Sequence, residues 1–214
     1  MTILVTGSTG GLGLLLTDWL KIHTKETIIS TGRADQTHKD YIRCDLRDAE
    51  AFSNLIVSTQ PRLIYHLSAS FTECYDVDYH VNVLITQKIL ETLRLHKMKT
   101  RLVLMGSAAE YGFVSSEDNP VRETHLLRPI SIYGLTKAFQ TQYALYHAHH
   151  FGSDVVIARL FNLFAPGLSE RLFIGHVEKK IKSYLREEIT EIEVGNLNSY
   201  RDYVEANEAI SQLT

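Results

Sequence analysis

Short apolar runs alternate with amphipathic stretches along most of the chain. Ile3 to Val5 is a β-rich run that stops at Thr6-Gly7, and Thr27 to Thr31 is a second, closed by Gly32. Tyr41 to Cys44, Leu63 to Leu67, Leu102 to Met105 and Val155 to Leu160 read as further strands. Helical patterns fall between them. Leu12 to Ile22 repeats its apolar positions at three- and four-residue steps. Asp48 to Val57 is a second helix, with Asp45 or Asp48 available as its cap. Val77 to His96 places Leu84, Ile85, Ile89, Leu90 and Leu93 on one side. Arg128 to Phe151 holds another helix, which starts after Pro129 and stops at Gly152. Strands this uniformly apolar are buried on both faces, and strand-helix alternation at this spacing predicts a parallel, doubly wound α/β sheet.

Past Leu160 the pattern changes. Asn162 to Arg171, with Pro166-Gly167, reads as loop, His176 to Arg186 as helix, Ile189 to Val194 as strand and Val204 to Leu213 as a last helix. The expected organisation is a Rossmann-type dinucleotide-binding domain over residues 1–160 and a partial substrate-binding lobe over 161–214.

Bulk composition narrows the class of partner. The 214 residues carry a formal net charge of -3, which argues against a nucleic-acid-binding surface. Two cysteines, Cys44 and Cys74, make no disulfide framework, so a reducing compartment is expected. No apolar run is long enough to span a membrane, and the N-terminus lacks the basic segment of a signal peptide. These features predict a cytoplasmic protein with no membrane or nucleic-acid partner.

Residues 6–13 read TGSTGGLG, after a predicted strand and into a predicted helix. That is the setting in which a glycine-rich turn cradles a pyrophosphate against a helix N-terminus. Gly7 allows the sharp turn, Gly10 the approach of backbone to phosphate, and Gly13 the close packing of helix on strand. Thr9, Gly11 and Leu12 complete the candidate turn. The second strand ends in Ser30-Thr31-Gly32-Arg33, with no carboxylate to bond a ribose 2′-hydroxyl. Arg33 suits a 2′-phosphate instead, so NADP(H) is expected over NAD(H), with Asp35 close enough to leave NAD(H) open.

Tyr133 and Lys137 are four residues apart on one predicted helix face. A neighbouring ammonium lowers a phenol's pKa and fits it for acid/base work. Ser107 ends the fifth predicted strand, at the sheet edge where ligands of doubly wound folds bind.

Taken in order, TGSTGGLG, CDLRD (44–48), HLSA (66–69), GSAAEYG (106–112), YGLTK (133–137), RLFN (159–162) and RDYV (201–204) resemble the NAD-dependent epimerase/dehydratase branch of extended short-chain dehydrogenases. The resemblance implies that Ser107, Tyr133 and Lys137 are catalytic: Ser107 bonds the sugar oxygen, Tyr133 is the acid/base, and Lys137 holds the nicotinamide ribose. It further implies that Asp45 and Leu46 border the adenine, that Leu67, Ser68 and Ala69 line the cofactor, and that Asn162 and Arg201 contact a nucleotide-sugar substrate, Arg201 at its diphosphate. Members often pair as homodimers through two long helices, where Tyr143 and Tyr146 would lie. Within the branch the chain is most similar to reductases of 4-keto-6-deoxy sugar nucleotides. A 4-epimerase using NAD is the alternative, and a non-catalytic dinucleotide-binding regulator a second one.

Two departures from the branch stand out. Ile132 replaces the usual proline before the tyrosine, and Ala108 and Ala109 replace the acids of 4,6-dehydratases, leaving Glu110 one position late. Dehydration is therefore not expected. Members of the branch also continue further beyond RDYV, which implies a shortened chain or a reduced substrate lobe. No metal site is expected. His147, His149 and His150 read as surface histidines, Glu73, Asp76 and Asp78 as a solvated helix face, and Glu187, Glu188, Glu191 and Glu193 as decoration of a surface strand.

Overall fold

A computed structural model describes residues 1–36, 38–165, 168–170, 172–196 and 198–214. Six parallel strands form the main sheet: β1 (Thr2–Thr6), β2 (Thr27–Gly32), β3 (Tyr41–Arg43), β4 (Leu63–His66), β5 (Arg101–Ser107) and β6 (Val155–Leu160), in the order β3-β2-β1-β4-β5-β6. Leu63–His66 and Arg101–Ser107 are almost wholly buried, as strands covered on both faces should be. Alternate residues face two cores. Ile3, Val5, Leu63, Tyr65 and Val103 meet helix α1 (Gly11–His23) through Leu16 and Leu20. Leu4, Ile64, Leu102 and Leu104 meet the opposite layer: α2 (Ala49–Thr59), the helix after β4, and α5 (Ile132–Phe151).

The helix after β4 is interrupted. It comprises α3 (Tyr75–Tyr79), a π-helical turn (His80–Leu84) and α4 (Ile85–Leu95). Such turns insert an extra residue into the helical ladder and often sit at functional sites. Helix α2 is capped by Asp48, whose carboxylate accepts from the Ala51 N–H; the alternative cap, Asp45, is used elsewhere. Ser131 caps α5, and Gly152 ends it in the left-handed conformation.

Beyond β6 the structure departs from the sequence pattern. Asn162–Phe164 is a strand, β7, paired in parallel with β8 (Tyr203–Glu205), where a loop and the start of a helix are predicted. Glu205 caps the shortened last helix α7 (Ala206–Leu213), which packs Ile210 under the α1 face. The segment Ile189 to Val194 forms no strand: its apolar-acidic alternation finds no neighbour to pair with, so its glutamates lie on an exposed loop. Helix α6 (Phe173–Leu185) precedes it. Pro166-Gly167 and Arg171, within the predicted loop, lie outside the described residues. Among the described residues no helix is long and apolar enough to cross a membrane.

Gly7 and Gly13 fix the approach of α1 to β1. Gly7 has φ +69, and a Cβ on Gly13 would stand 2.2 Å from the Gly7 carbonyl oxygen and 2.8 Å from Ser8 Cα. Backbone cannot yield cheaply there, so Gly13→Ala should cost on the order of 3 kcal/mol. Urea unfolding checks this; an unchanged midpoint would refute the role of this contact.

Candidate active site

The site lies along the carboxyl edge of the sheet, where β1 and β4 are neighbours and the strand order reverses. A cavity of about 370 Å³ opens there, lined by Gly7, Thr9, Gly10, Arg33, Asp45, Leu46, Leu67, Ser68 and Ala69. All nine were singled out in the sequence. Gly11, Leu12 and Gly13 do not line it; they build the first turns of α1 behind it. Gly10 caps α1 with backbone alone, and no acidic side chain sits in the first turn. The donors of that helix end face an anion's natural position. A turn closed by Gly10 N–H on the Gly7 carbonyl, at 3.0 Å, completes a cradle that fits a dinucleotide pyrophosphate.

The sequence reading missed further walls of this cavity. Val77, Val81 and Ile85 line it at successive four-residue steps along α3, the π turn and α4. That spacing is visible in the sequence, but facing a ligand and facing the core look alike. Gly32, Arg47, Ser70 and Thr72 also contribute.

Charge is unevenly paired at the β2 end. Asp35 is bound by Arg43 at 2.9 Å, is well exposed and does not line the cavity. Asp45 does, but Arg47 clamps it with contacts of 2.6, 3.0 and 3.1 Å. That clamp holds the Asp45 carboxyl down at about 2, with a smaller contribution from Arg33. Arg33 lines the same cavity.

Ser107, at the end of β5, and Tyr133 and Lys137, on the first turns of α5, lie at the adjoining end and do not line the cavity themselves. The turn Ala108–Glu110 follows Ser107, whose Oγ accepts the Ala109 N–H at 3.2 Å and hydrogen-bonds the Tyr133 side chain. Helix α5 reaches this turn closely because residue 134 is glycine: a Cβ there would meet the Ala109 oxygen at 2.4 Å. Lys137 is fully buried and donates to the Met105 carbonyl. Burial lowers its amine to about 8 against an opposing pull from Glu110. Tyr133 corrects the expected direction. Burial pushes its phenol up, the Ser107 hydrogen bond offsets this in part, and Glu110 and Asp78 push it further up.

Two supposed surface groups, Asp78 and His147, are buried, and so is Glu110. Asp78 is inaccessible and accepts from the Ser70 and Thr72 hydroxyls and from the Thr72 and Glu73 N–H groups. It thereby shapes residues 70–73, which set Phe71 edge-on against Tyr133 at 5.1 Å. Glu73 then accepts the N–H of Ile132 at 3.3 Å, a donor that proline would lack. His147 is buried, bonded to Ser153 at 2.8 Å and 3.5 Å from Glu91, whereas His149 and His150 are exposed. Glu110 is wholly buried against Arg159 at 2.9 Å.

Asn162 and Arg201 do not line the cavity. Asn162 starts β7 and donates to the Asp202 carbonyl at 2.8 Å; Arg201, two residues before β8, is exposed and bonds the Tyr200 carbonyl. Leu160, two residues before Asn162, pairs with Ser107 in the sheet.

Residues 3–213 match the family model described as the NAD dependent epimerase/dehydratase family. The chain belongs to that family. Its fold is that of an extended short-chain dehydrogenase, and its relatives are named as epimerases, dehydrogenases and reductases. A Methanocaldococcus jannaschii protein that bears a UDP-glucose 4-epimerase name is 27% identical over 94% of this chain and 68% of its own length. GDP-6-deoxy-D-talose 4-dehydrogenase of Aggregatibacter actinomycetemcomitans is 24% identical over 97% of this chain and 67% of its own. The crystal structure of UDP-glucose 4-epimerase from Thermotoga maritima matches with a TM-score of 0.84 at 23% identity, over 99% of this chain and 71% of that one. The chain spans 61% of the uronate dehydrogenase of Pseudomonas putida, another relative, at 28% identity.

His66 carries a further consequence. It is buried in β4, bonded to Thr6 Oγ1 at 2.7 Å, and burial with nearby Lys137 lowers it to about 3. The unfolded chain takes up that proton near its ordinary value of about 6.5. Stability is therefore fully present above that value and falls as pH drops toward about 3, by roughly 1.4 kcal/mol per pH unit. His66→Gln should flatten this slope by about one proton in urea titrations run from pH 7 to 4; an unchanged slope would contradict the assignment.

Proposed function

We propose that this chain carries the cofactor site and catalytic trio of a reductase acting on a nucleotide-activated 4-keto-6-deoxy sugar with NADPH. The observation that carries this reading is the Ser107–Tyr133 hydrogen bond at the sheet edge that also holds the cavity of the glycine turn, with Lys137 one turn further along the same helix. When bound there, the nicotinamide supplies a hydride to the C4 carbonyl. Tyr133, its phenol raised by burial, is protonated at neutral pH and gives that proton to the new alkoxide oxygen. The Ser107 hydroxyl, its oxygen accepting from Ala109, turns its one hydrogen from Tyr133 to the same oxygen when substrate is bound. Lys137 holds the nicotinamide ribose. Asn162, at the start of β7, and Arg201, two residues before β8, are assigned to the sugar nucleotide, with residues 161–214 as the start of its lobe.

Reduction is favoured over dehydration by the stretch after Ser107. Ala108 and Ala109 offer no acid, and both oxygens of Glu110 are engaged. The cofactor preference rests on Arg33, which lines the cavity while the nearby carboxylates are held by Arg43 and Arg47. A charge-assisted bond to a 2′-phosphate contributes about 1.5–3 kcal/mol. Arg33→Ala should thus weaken NADPH at least about tenfold and leave NADH nearly unchanged. Fluorescence titration of both reduced cofactors decides this; an equal loss for the two would overturn the preference.

Tyr133→Phe should lower turnover of GDP-4-keto-6-deoxymannose by about 100-fold or more while NADPH affinity stays within about twofold. Undiminished turnover would refute the trio. A second reading, a 4-epimerase with retained NAD, is supported by the Methanocaldococcus jannaschii relative, which aligns with most of the chain. Extraction of cofactor from purified protein separates the two: an epimerase retains NAD, a reductase exchanges NADPH freely.

A further inference from the structure

Glu110 is the least expected group around the trio. It is a carboxylate with no exposed surface, one position away from where dehydratase chemistry would want an acid. Its place is made by Gly106, on which a Cβ would stand 2.7 Å from Glu110 Oε1 and 3.0 Å from Arg159 Cγ. Oε1 accepts the Ser107 N–H at 2.7 Å, and Oε2 accepts Arg159 Nε at 2.9 Å. Arg159 in turn donates to the Tyr111 hydroxyl at 3.2 Å and to the Glu123 carbonyl at 2.9 Å, with its guanidinium over the Tyr111 ring. One buried pair thus joins the end of β5, strand β6 and the segment that leads into α5.

A buried ion pair is weak support for stability, because desolvation of both charges offsets their attraction. An apolar pair of similar volume would hold the strands together as well. What it would not do is grip the Ser107 backbone on one side and the Glu123 backbone on the other. We infer that Glu110, through Arg159, is a positioning residue that orients Ser107 toward Tyr133 and ties that serine to the 112–131 segment. The inference rests on the reading of Ser107, Tyr133 and Lys137 as the reacting trio.

Its charge acts in the same place. Glu110 favours the protonated forms of both Lys137 and Tyr133, which are the forms a proton donor and its partner need. Lys137 is also faced by the Met105 carbonyl and by neutral His66, and Tyr133 by Asp78, so Glu110 is the carboxylate that acts on both.

The test uses Glu110→Gln, which keeps an acceptor oxygen for the Ser107 N–H and removes the charge. In protein labelled with 13C at lysine Cε, Lys137 titrates apart from the other lysines, and Lys137→Met assigns it. The expected result for Glu110→Gln is a Lys137 midpoint lower by about half a pH unit or more, with unchanged NADPH binding. Turnover of GDP-4-keto-6-deoxymannose should fall about tenfold, with kcat and not the KM for NADPH carrying the loss. Arg159→Lys keeps the charge but loses the fork to Tyr111 and Glu123, so it should lower turnover and leave the Lys137 midpoint in place. It also serves if Glu110→Gln does not fold. A Lys137 midpoint and turnover in Glu110→Gln equal to those of the parent overturn the inference. If Tyr133→Phe is inactive in the same assays, that failure belongs to Glu110 alone; if Tyr133→Phe remains active, the trio itself is wrong.

Discussion

The backbone contact between Gly13 and the Gly7–Ser8 turn sets how close α1 comes to β1, and much of the site follows from it. A helix held that tightly to its strand presents its open N-terminal donors at the sheet edge. The edge is accessible because β1 and β4 are neighbours while the helices that follow them, α1 and α4, pack on opposite faces. No loop has to be displaced to make the crevice; strand order alone leaves it. The cofactor cavity and the Ser107–Tyr133–Lys137 cluster are then two parts of one edge.

Around that edge the protein buries three charged groups and a histidine that burial keeps neutral. Asp78, Glu110, Lys137 and His66 are each almost inaccessible. They do not share one ion pair. Asp78 organises a loop through hydroxyl and amide donors, Glu110 grips an arginine and a backbone N–H, and Lys137 is held by a carbonyl. Each satisfied group is a rigid peg, and a low-dielectric surrounding makes it costly to move. The trio gains its geometry from these pegs, and Tyr133 gains its raised pKa from the same burial.

The long elements were legible because their patterns extend over enough residues to be distinctive. The six main strands, α1, α2 and α5 lie within a few residues of their predicted positions. The pair β7–β8 was not legible: Asn-Leu-Phe and Tyr-Val-Glu are too short to show alternation, and each exists because the other is beside it. The reverse error at Ile189 to Val194 has the same cause, since alternation without a partner makes no strand. The glycine-turn and strand-end motifs contain nine residues that line the cavity, and the motifs of Ser107, Tyr133 and Lys137 lie at the end of β5 and the start of α5 beside it. Asp78, Glu110 and His147 escaped because a buried charge is recognised by partners far along the chain, such as Arg159 for Glu110.

The bond from Ile132 to Glu73 shows a constraint of a different kind. What the site uses at position 132 is a main-chain hydrogen, so the isoleucine side chain is incidental to it. Nineteen of the genetically encoded residues possess that atom and one does not. The usual proline of the branch would forgo this bond, so the isoleucine here adds a tie that is invisible to any comparison of side-chain size, charge or hydropathy. It also links the first turn of α5 to the loop over residues 70–73, which sets Phe71 against the tyrosine that the helix carries.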